Sequence, residues 1–274
     1  MVGTLAQTIA LTAYGNDYLL NGHIHIDFNS SNTTFQFCNR VDFRELKKVL
    51  FSSKHKEKIV ANNPTEWFAY LKANGCKHLA LYYECSKEQS VEKDYKLSGF
   101  IGGGGTWYIE AMYNGYSRYW TSRWEVTNKN ALDRKIWAVN YNMLSELKPT
   151  NNLRIDEQLV KDELKHTLNE ITDFALKQNF QYWAEQFDKA RTILDSALPE
   201  EHYYHKDLIP LDNYLLLEKQ LLFSAGSAWV FGGMGSWNDL GCDNEEDNKT
   251  YDRLSSKLYS NINKAIISSI NTSN

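Results

Sequence analysis

The sequence predicts an α+β protein: an antiparallel sheet with two covering helices in the N-terminal half, and a helical C-terminal half packed on the sheet. Three observations favour this class. Apolar residues recur at every second position in many segments up to residue 141, which is typical of strands. Beyond residue 155 the apolar period lengthens to about 3.6, which is typical of helices. Between these regions, residues 148–152 are polar and contain a proline, which suits a linker.

The clearest strands form a hairpin over residues 107–124. Asn114-Gly115 suits a two-residue type I′ turn, because both positions tolerate positive φ. This turn predicts that Tyr113 opposes Tyr116, that Ala111 opposes Arg118 and that Ile109 opposes Trp120. Further strands are predicted at residues 8–14, 23–28, 33–38, 78–84 and 136–141.

Two helices are predicted among these strands. One spans residues 42–51, opened by Asp42 with Leu46, Val49 and Leu50 on one face. The other spans residues 64–74 between the cap pairs Asn63-Pro64 and Asn74-Gly75.

In the C-terminal half, spaced apolar residues mark four helices. They are a helix with a face from Ile155 through Leu159 and Leu164 to Ala175, one carrying Trp183, Phe187, Ala190 and Leu194, a buried one over residues 211–225, and one with a face from Tyr251 to Ile266.

Composition excludes several protein classes. With 42% hydrophobic and 23% charged residues, 15 Gly and 4 Pro, the chain is ordinary globular protein. No apolar run approaches the roughly 20 residues that span a bilayer, so no membrane association is expected. The start of the sequence lacks a basic segment, and the four cysteines show no C-x-x-C spacing. A cytoplasmic, reducing location is therefore expected.

Charge divides unevenly between the halves. Residues 1–146 carry 17 basic and 14 acidic side chains, whereas residues 147–274 carry 13 and 20. Nucleic acid is a poor partner for the acidic half, and the N-terminal excess is too dilute for a basic patch. We expect residues 1–147 and 153–274 to form one interdependent structural unit.

Histidines and carboxylates suggest metal ligands at two places. His23, His25 and Asp27 alternate with apolar residues, which the solvent side of a strand explains equally well. Glu163 and His166 share a helix face, and the loop residues His202 and His205 would complete a set for a metal-dependent hydrolase. This enzyme is the first alternative function; the leading hypothesis includes no metal or cofactor.

Glycines at positions 102–105 resemble a phosphate loop only superficially. Such a loop joins a strand to a helix N-terminus, but this run leads into the strand that begins near Trp107. The glycines are therefore interpreted as a connection between strands.

The leading hypothesis is a non-enzymatic protein that binds a partner protein with a basic surface, in the manner of an antitoxin or immunity factor. Residues 229–239 combine two tryptophans with three glycines and precede an acidic run, whose spacing does not fit an EF-hand. Alternatively, Trp229 and Trp237 anchor this loop against the sheet half. The predicted partner-binding residues are Trp237, Asn238, Asp239, Asp243, Glu245, Glu246 and Asp247.

A second alternative is a small-molecule binder that uses the aromatic hairpin. If that face is open, its rings form a stacking platform. The rings are Trp107, Tyr113, Tyr116 and Trp120.

Overall fold

A computed structural model gives the structure of residues 1–24, 28–48, 55–86, 91–98, 103–144 and 156–271. The helices found there are α1 (Gly3–Asn21), α2 (Phe28–Ser31), α3 (Pro64–Ala73), α4 (Val91–Leu97), α5 (Glu157–Lys177), α6 (Gln181–Ile193), α7 (Leu216–Ser227) and α8 (Glu245–Asn271). The strands are β1 (Cys38–Lys48), β2 (His55–Ala61), β3 (His78–Glu84), β4 (Thr106–Tyr113), β5 (Tyr116–Val126) and β6 (Trp137–Met143). The α+β class and the helical C-terminal half are confirmed.

The strands form one six-stranded sheet in the order β2-β1-β6-β5-β4-β3. The prediction of a purely antiparallel sheet is wrong, because β1 runs parallel to β6. A parallel pair needs a long connection, and here β2 to β5 lie between the two strands in the chain.

The predicted hairpin is confirmed in register, but its turn is not type I′. Gly115 has φ of 85°, whereas Asn114 lacks the positive φ that a type I′ turn also requires at its first central residue. The observed pairs are Tyr113 with Tyr116, Ala111 with Arg118 and Ile109 with Trp120.

The first predicted strand is instead part of helix α1. Its residues 5–15 are all buried, so no polar face marks the helical period. Thr8 and Thr12 satisfy their hydroxyls within the helix, each donating at 2.9 Å to the carbonyl four residues earlier. Gly15 also lies within this helix, where a Cβ would lie 2.4 Å from Leu79 Cδ1. This buried helix was mistaken for a strand because its β-branched residues favour strands.

The helix predicted from Asp42 is wrong, because residues 38–48 form strand β1. Val41, Asp42 and Phe43 are all buried there, and Asp42 is paired with Arg40 and Arg44. The strand predicted at residues 33–38 also fails, because residues 33–35 form a short 3-10 helix and β1 begins at Cys38.

The remaining helices and strands follow the sequence more closely. The predictions for α3, α5, α6, α8, β3 and β6 are confirmed, whereas α7 begins at Leu216 rather than at residue 211. Several predicted features lie outside the described residues: His25 and Asp27, Val49 to Phe51, Gly102, the linker 148–152 and Ile155.

Helices α1, α3 and α8 pack on the same face of the sheet. Tyr141 Oη donates to Gln7 of α1 at 3.1 Å. Trp67 of α3 stacks on Phe43 with ring centroids 4.4 Å apart. Tyr259 of α8 lies against Tyr83 of β3, with ring centroids 6.5 Å apart. The large aromatic side chains of both halves thereby join one buried cluster.

Candidate functional site

Trp237 is fully buried, so its side chain has no surface to offer a partner. Its indole Nε1 donates to Ser255 Oγ at 2.7 Å. Rings of Phe187 and Tyr251 lie 5.1 and 5.0 Å away. The expectation that Trp237 contacts a partner therefore does not fit its position, since a large aromatic gains most from burial. Its role is to anchor the loop between α7 and α8.

Close to this anchor, the loop displays one apolar side chain. Met234 is fully exposed, at 101% of its reference surface. On either side the backbone is fixed: Ser236 Oγ donates to Gly232 O at 3.0 Å, and Asp239 accepts from the Gly235 amide. Gly235 has φ of 84°, so the turn needs a residue that tolerates the left-handed region.

Asn238 ties the loop to the N-terminal half of the chain. Its amide Nδ2 donates to the carbonyl of Tyr95 at 2.9 Å, at the end of α4. Because this bond joins the loop to α4, Asn238 holds the loop in position.

The acidic run is the first turn of α8. Asn244 Oδ1 accepts from the amide of Asp247 at 2.8 Å, and Asn244 Nδ2 donates to the Asp247 carboxylate at 2.8 Å. Lys177 contacts Asp247 at 2.9 Å and lowers the pKa of that carboxyl to about 2, with Asn244 adding to the shift. Asp247 is thus occupied by contacts within the chain, and carboxylates here also favour the positive end of the helix dipole.

Five acidic or apolar side chains between α7 and the start of α8 are exposed to solvent. We call residues 232–246 the tip segment. Its exposed side chains with binding character are Met234, Asp239, Asp243, Glu245 and Glu246. Sequence reasoning missed the prominence of Met234, because nothing in the pattern tells an exposed methionine from a buried one.

The proposed hydrolase ligands do not form one set. Glu163 accepts from Lys264 at 3.1 Å, and the exposed His166 lies 3.6 Å from Glu170. His202 is exposed on a 3-10 turn, whereas His205 contacts Thr33 Oγ1 at 2.7 Å. In the part of the chain that the structure describes, no three His, Cys, Asp or Glu side chains are placed to hold a metal.

Thr33, His205 and Asp207 form a cluster that the sequence did not reveal, because residues 33 and 205 are 172 positions apart. The Thr33 hydroxyl donates to Asp207, and the Thr33 amide donates to the same carboxylate at 2.6 Å. Since the hydroxyl proton goes to Asp207, His205 Nδ1 is the donor to Thr33. Burial lowers the pKa of His205, which suits a neutral ring in this role. The cluster joins two loops rather than activating a nucleophile.

The aromatic hairpin offers no open platform. Trp120 is fully buried, with rings of Trp67 and Phe43 at 5.4 and 6.1 Å. Trp107 packs on Tyr83, with ring centroids 4.9 Å apart. Tyr113 and Tyr116 stack on each other with ring centroids 4.9 Å apart, and each is half-buried.

Two further findings bear on function. Among the described helices, none combines the length and the apolar composition needed to cross a membrane. No protein-family model, curated protein or solved structure matches the chain. Its function has to be inferred from its own geometry.

Proposed function

We propose that the protein binds a partner protein with a basic surface through the tip segment, as an antitoxin or immunity factor would. One observation carries the proposal. A fully exposed methionine, Met234, stands on a loop whose neighbouring residues are hydrogen-bonded or buried. Methionine is common at binding surfaces because its side chain adapts to a partner's shape.

The fixed loop favours tight binding. Ordering a flexible loop would cost free energy on association, and the buried Trp237 and the Asn238 bond to Tyr95 provide that order beforehand. The same contacts hold Met234 outward in the free protein.

The exposed carboxylates of the tip segment indicate that the partner has a basic surface. Asp243, Glu245 and Glu246 are exposed near Met234 in the chain. Carboxylates at the edge of an interface speed association with a basic partner and favour it over acidic competitors. Asp247 is left out of the binding set because Lys177 and Asn244 hold its carboxylate.

The test is affinity capture from the native cell with the wild-type chain and three variants. The tip variant carries Met234→Ser, Asp243→Asn, Glu245→Gln and Glu246→Gln. We expect wild type to retain one basic protein in stoichiometric amount and the tip variant to lose it. Met234→Ser alone should weaken binding about tenfold or more, because burying such a side chain is worth roughly 1.5–3 kcal/mol.

A matched control separates a specific surface from general charge. Asp162→Asn, Glu185→Gln and Asp212→Asn remove the same number of charges from residues outside the tip segment. This control should retain the partner as wild type does. Equal recovery of the same proteins by the tip variant and wild type, with both melting at similar temperatures, would rule the proposal out.

A further inference from the structure

A second candidate site lies away from the tip segment, in a cleft between α4, α5 and α8. The cleft has a volume of about 980 Å³. Pockets that hold small molecules are typically about 300–1,000 Å³, so this cleft accommodates a ligand of nucleotide size.

One face of α8 forms the longest wall. The side chains follow each other at helical spacing, so they project from the same side of the helix. They are Arg253, Ser256, Lys257, Ser260 and Lys264. The wall thus alternates cations with hydroxyl groups, and both are donors to oxygen anions.

Cations outnumber carboxylates in the lining. Lys96 joins the three cations of α8, whereas Glu163 and Asp252 are the acidic members. Three of these cations lie in the half of the chain that is acidic as a whole, with 13 basic and 20 acidic residues over positions 147–274, and Lys96 comes from the other half. The fold thereby gathers cations from both halves at the cleft.

The lysines of the cleft make ion pairs, whereas Arg253 makes none among the described residues. Lys257 contacts Glu170 at 2.6 Å and Lys96 contacts Asp252 at 2.8 Å. Lys257 lowers the pKa of Glu170, and His166 and Arg253 add to the effect. Among the described residues Arg253 makes no ion pair, so its guanidinium is available in the free protein.

Arg253 and Lys257 are four residues apart on α8, and like charges at that spacing destabilise a helix. Glu170 offsets part of this repulsion, because it pairs with Lys257 and also interacts with Arg253. A bound anion would offset more of it, because it would accept charge-assisted hydrogen bonds from both side chains.

We propose that the cleft binds a small molecule carrying two or more phosphate or carboxylate groups. Arg253 and Lys257 hold one anionic group, and Ser256 and Ser260 offer hydroxyl donors to its oxygens. Lys96 and Lys264 attract the rest of the ligand from either end of the cleft. Glu163 and Asp252 accept hydrogen bonds from ligand hydroxyl or amine groups.

Isothermal titration calorimetry of the full chain tests this site with two probes, inorganic tripolyphosphate and citrate. At low salt we expect one site per chain, with affinity falling as sodium chloride is raised. Preference for tripolyphosphate identifies phosphate as the natural group, and preference for citrate identifies carboxylate.

Variants locate the binding. Arg253→Gln should weaken the preferred probe at least threefold, and Arg253→Gln with Lys257→Gln at least tenfold. Lys189→Gln removes an exposed cation of α6, outside the cleft, and should leave affinity unchanged. Arg253→Gln breaks no ion pair among the described residues, so it decides the matter even if the double variant unfolds. Binding of neither probe, or equal affinities for wild type and Arg253→Gln, would overturn the proposal.

Discussion

At the scale of single residues, glycines show what a sequence can and cannot predict. The hairpin around Asn114-Gly115 was predictable in its strands and register, whereas the turn type was not, because Gly115 has a positive φ and Asn114 does not. The described glycines before β4, residues 103–105, follow helix α4 rather than a strand, and the constraint on Gly105 was hidden. A Cβ at Gly105 would lie 2.2 Å from Tyr83 Oη and 2.6 Å from the carbonyl of Glu84. That approach depends on how β3 pairs with β4, which no local pattern encodes.

Replacement of Gly105 by alanine should destabilise the protein. Tyr83 cannot move aside freely, because its hydroxyl donates to the buried Asp94 at 2.8 Å and meets Tyr259 at 3.2 Å. We expect Gly105→Ala to lower the free energy of unfolding by about 1–3 kcal/mol, the usual cost of overpacking. Gly241→Ala is the control, since a Cβ there meets nothing within 4 Å. Equal urea midpoints for the two variants would contradict the argument.

At the scale of helices and strands, the error at α1 has a clear cause. A period is visible only when one face of a helix or strand is polar, and the buried α1 has no such face. Helices α5 and α8 were predictable because each carries a polar face to the surface. The candidate sites were likewise predictable only in part. The acidic start of α8 was visible in the sequence, whereas the cleft requires knowledge of which helices lie side by side.

Strand β3 forms an edge of the sheet, and two asparagines cover its backbone groups. The Asn16 amide accepts from Leu79 N at 2.7 Å and donates to Leu79 O at 2.8 Å. Asn271 makes the same pair of bonds with Leu81, at 2.8 and 2.9 Å. An uncovered edge strand invites pairing with another chain, so these side chains protect the protein against association.

Loss of one asparagine should therefore have two effects. Asn16→Ala leaves the Leu79 N–H and C=O without partners, which costs about 1–3 kcal/mol of stability. It should also increase self-association at high concentration, measured by light scattering. Asn169→Ala on the exposed side of α5 is the control and should change neither quantity. If Asn16→Ala matches this control in both urea unfolding and scattering, the protective role is wrong.

At the scale of the whole molecule, the class was predictable and the strand order was not. Period and charge divide the chain near residue 150, but β1 pairs with β6 through a register shift that only tertiary packing specifies. The contacts between the halves were equally invisible. Asn32 Nδ2 donates to the carbonyl of Asp207 at 2.6 Å, and Asn213 Nδ2 donates to Asp17 at 2.9 Å. Each bond joins residues that no local pattern relates.

The interdependence of the two halves is the last prediction. Expressed alone, residues 1–147 would expose the faces of α1 and β3 that α8 touches, and residues 153–274 would expose the aromatic surface around Tyr259. The Asn271 bonds to β3 and the Asp207 bonds to Thr33 would also be lost. We expect neither fragment to show a cooperative thermal transition by circular dichroism, whereas co-expression of both should recover a complex that melts like the intact chain. Two fragments that each melt cooperatively would show instead that the halves are independent domains, and the contacts between them would then be those of an ordinary domain interface.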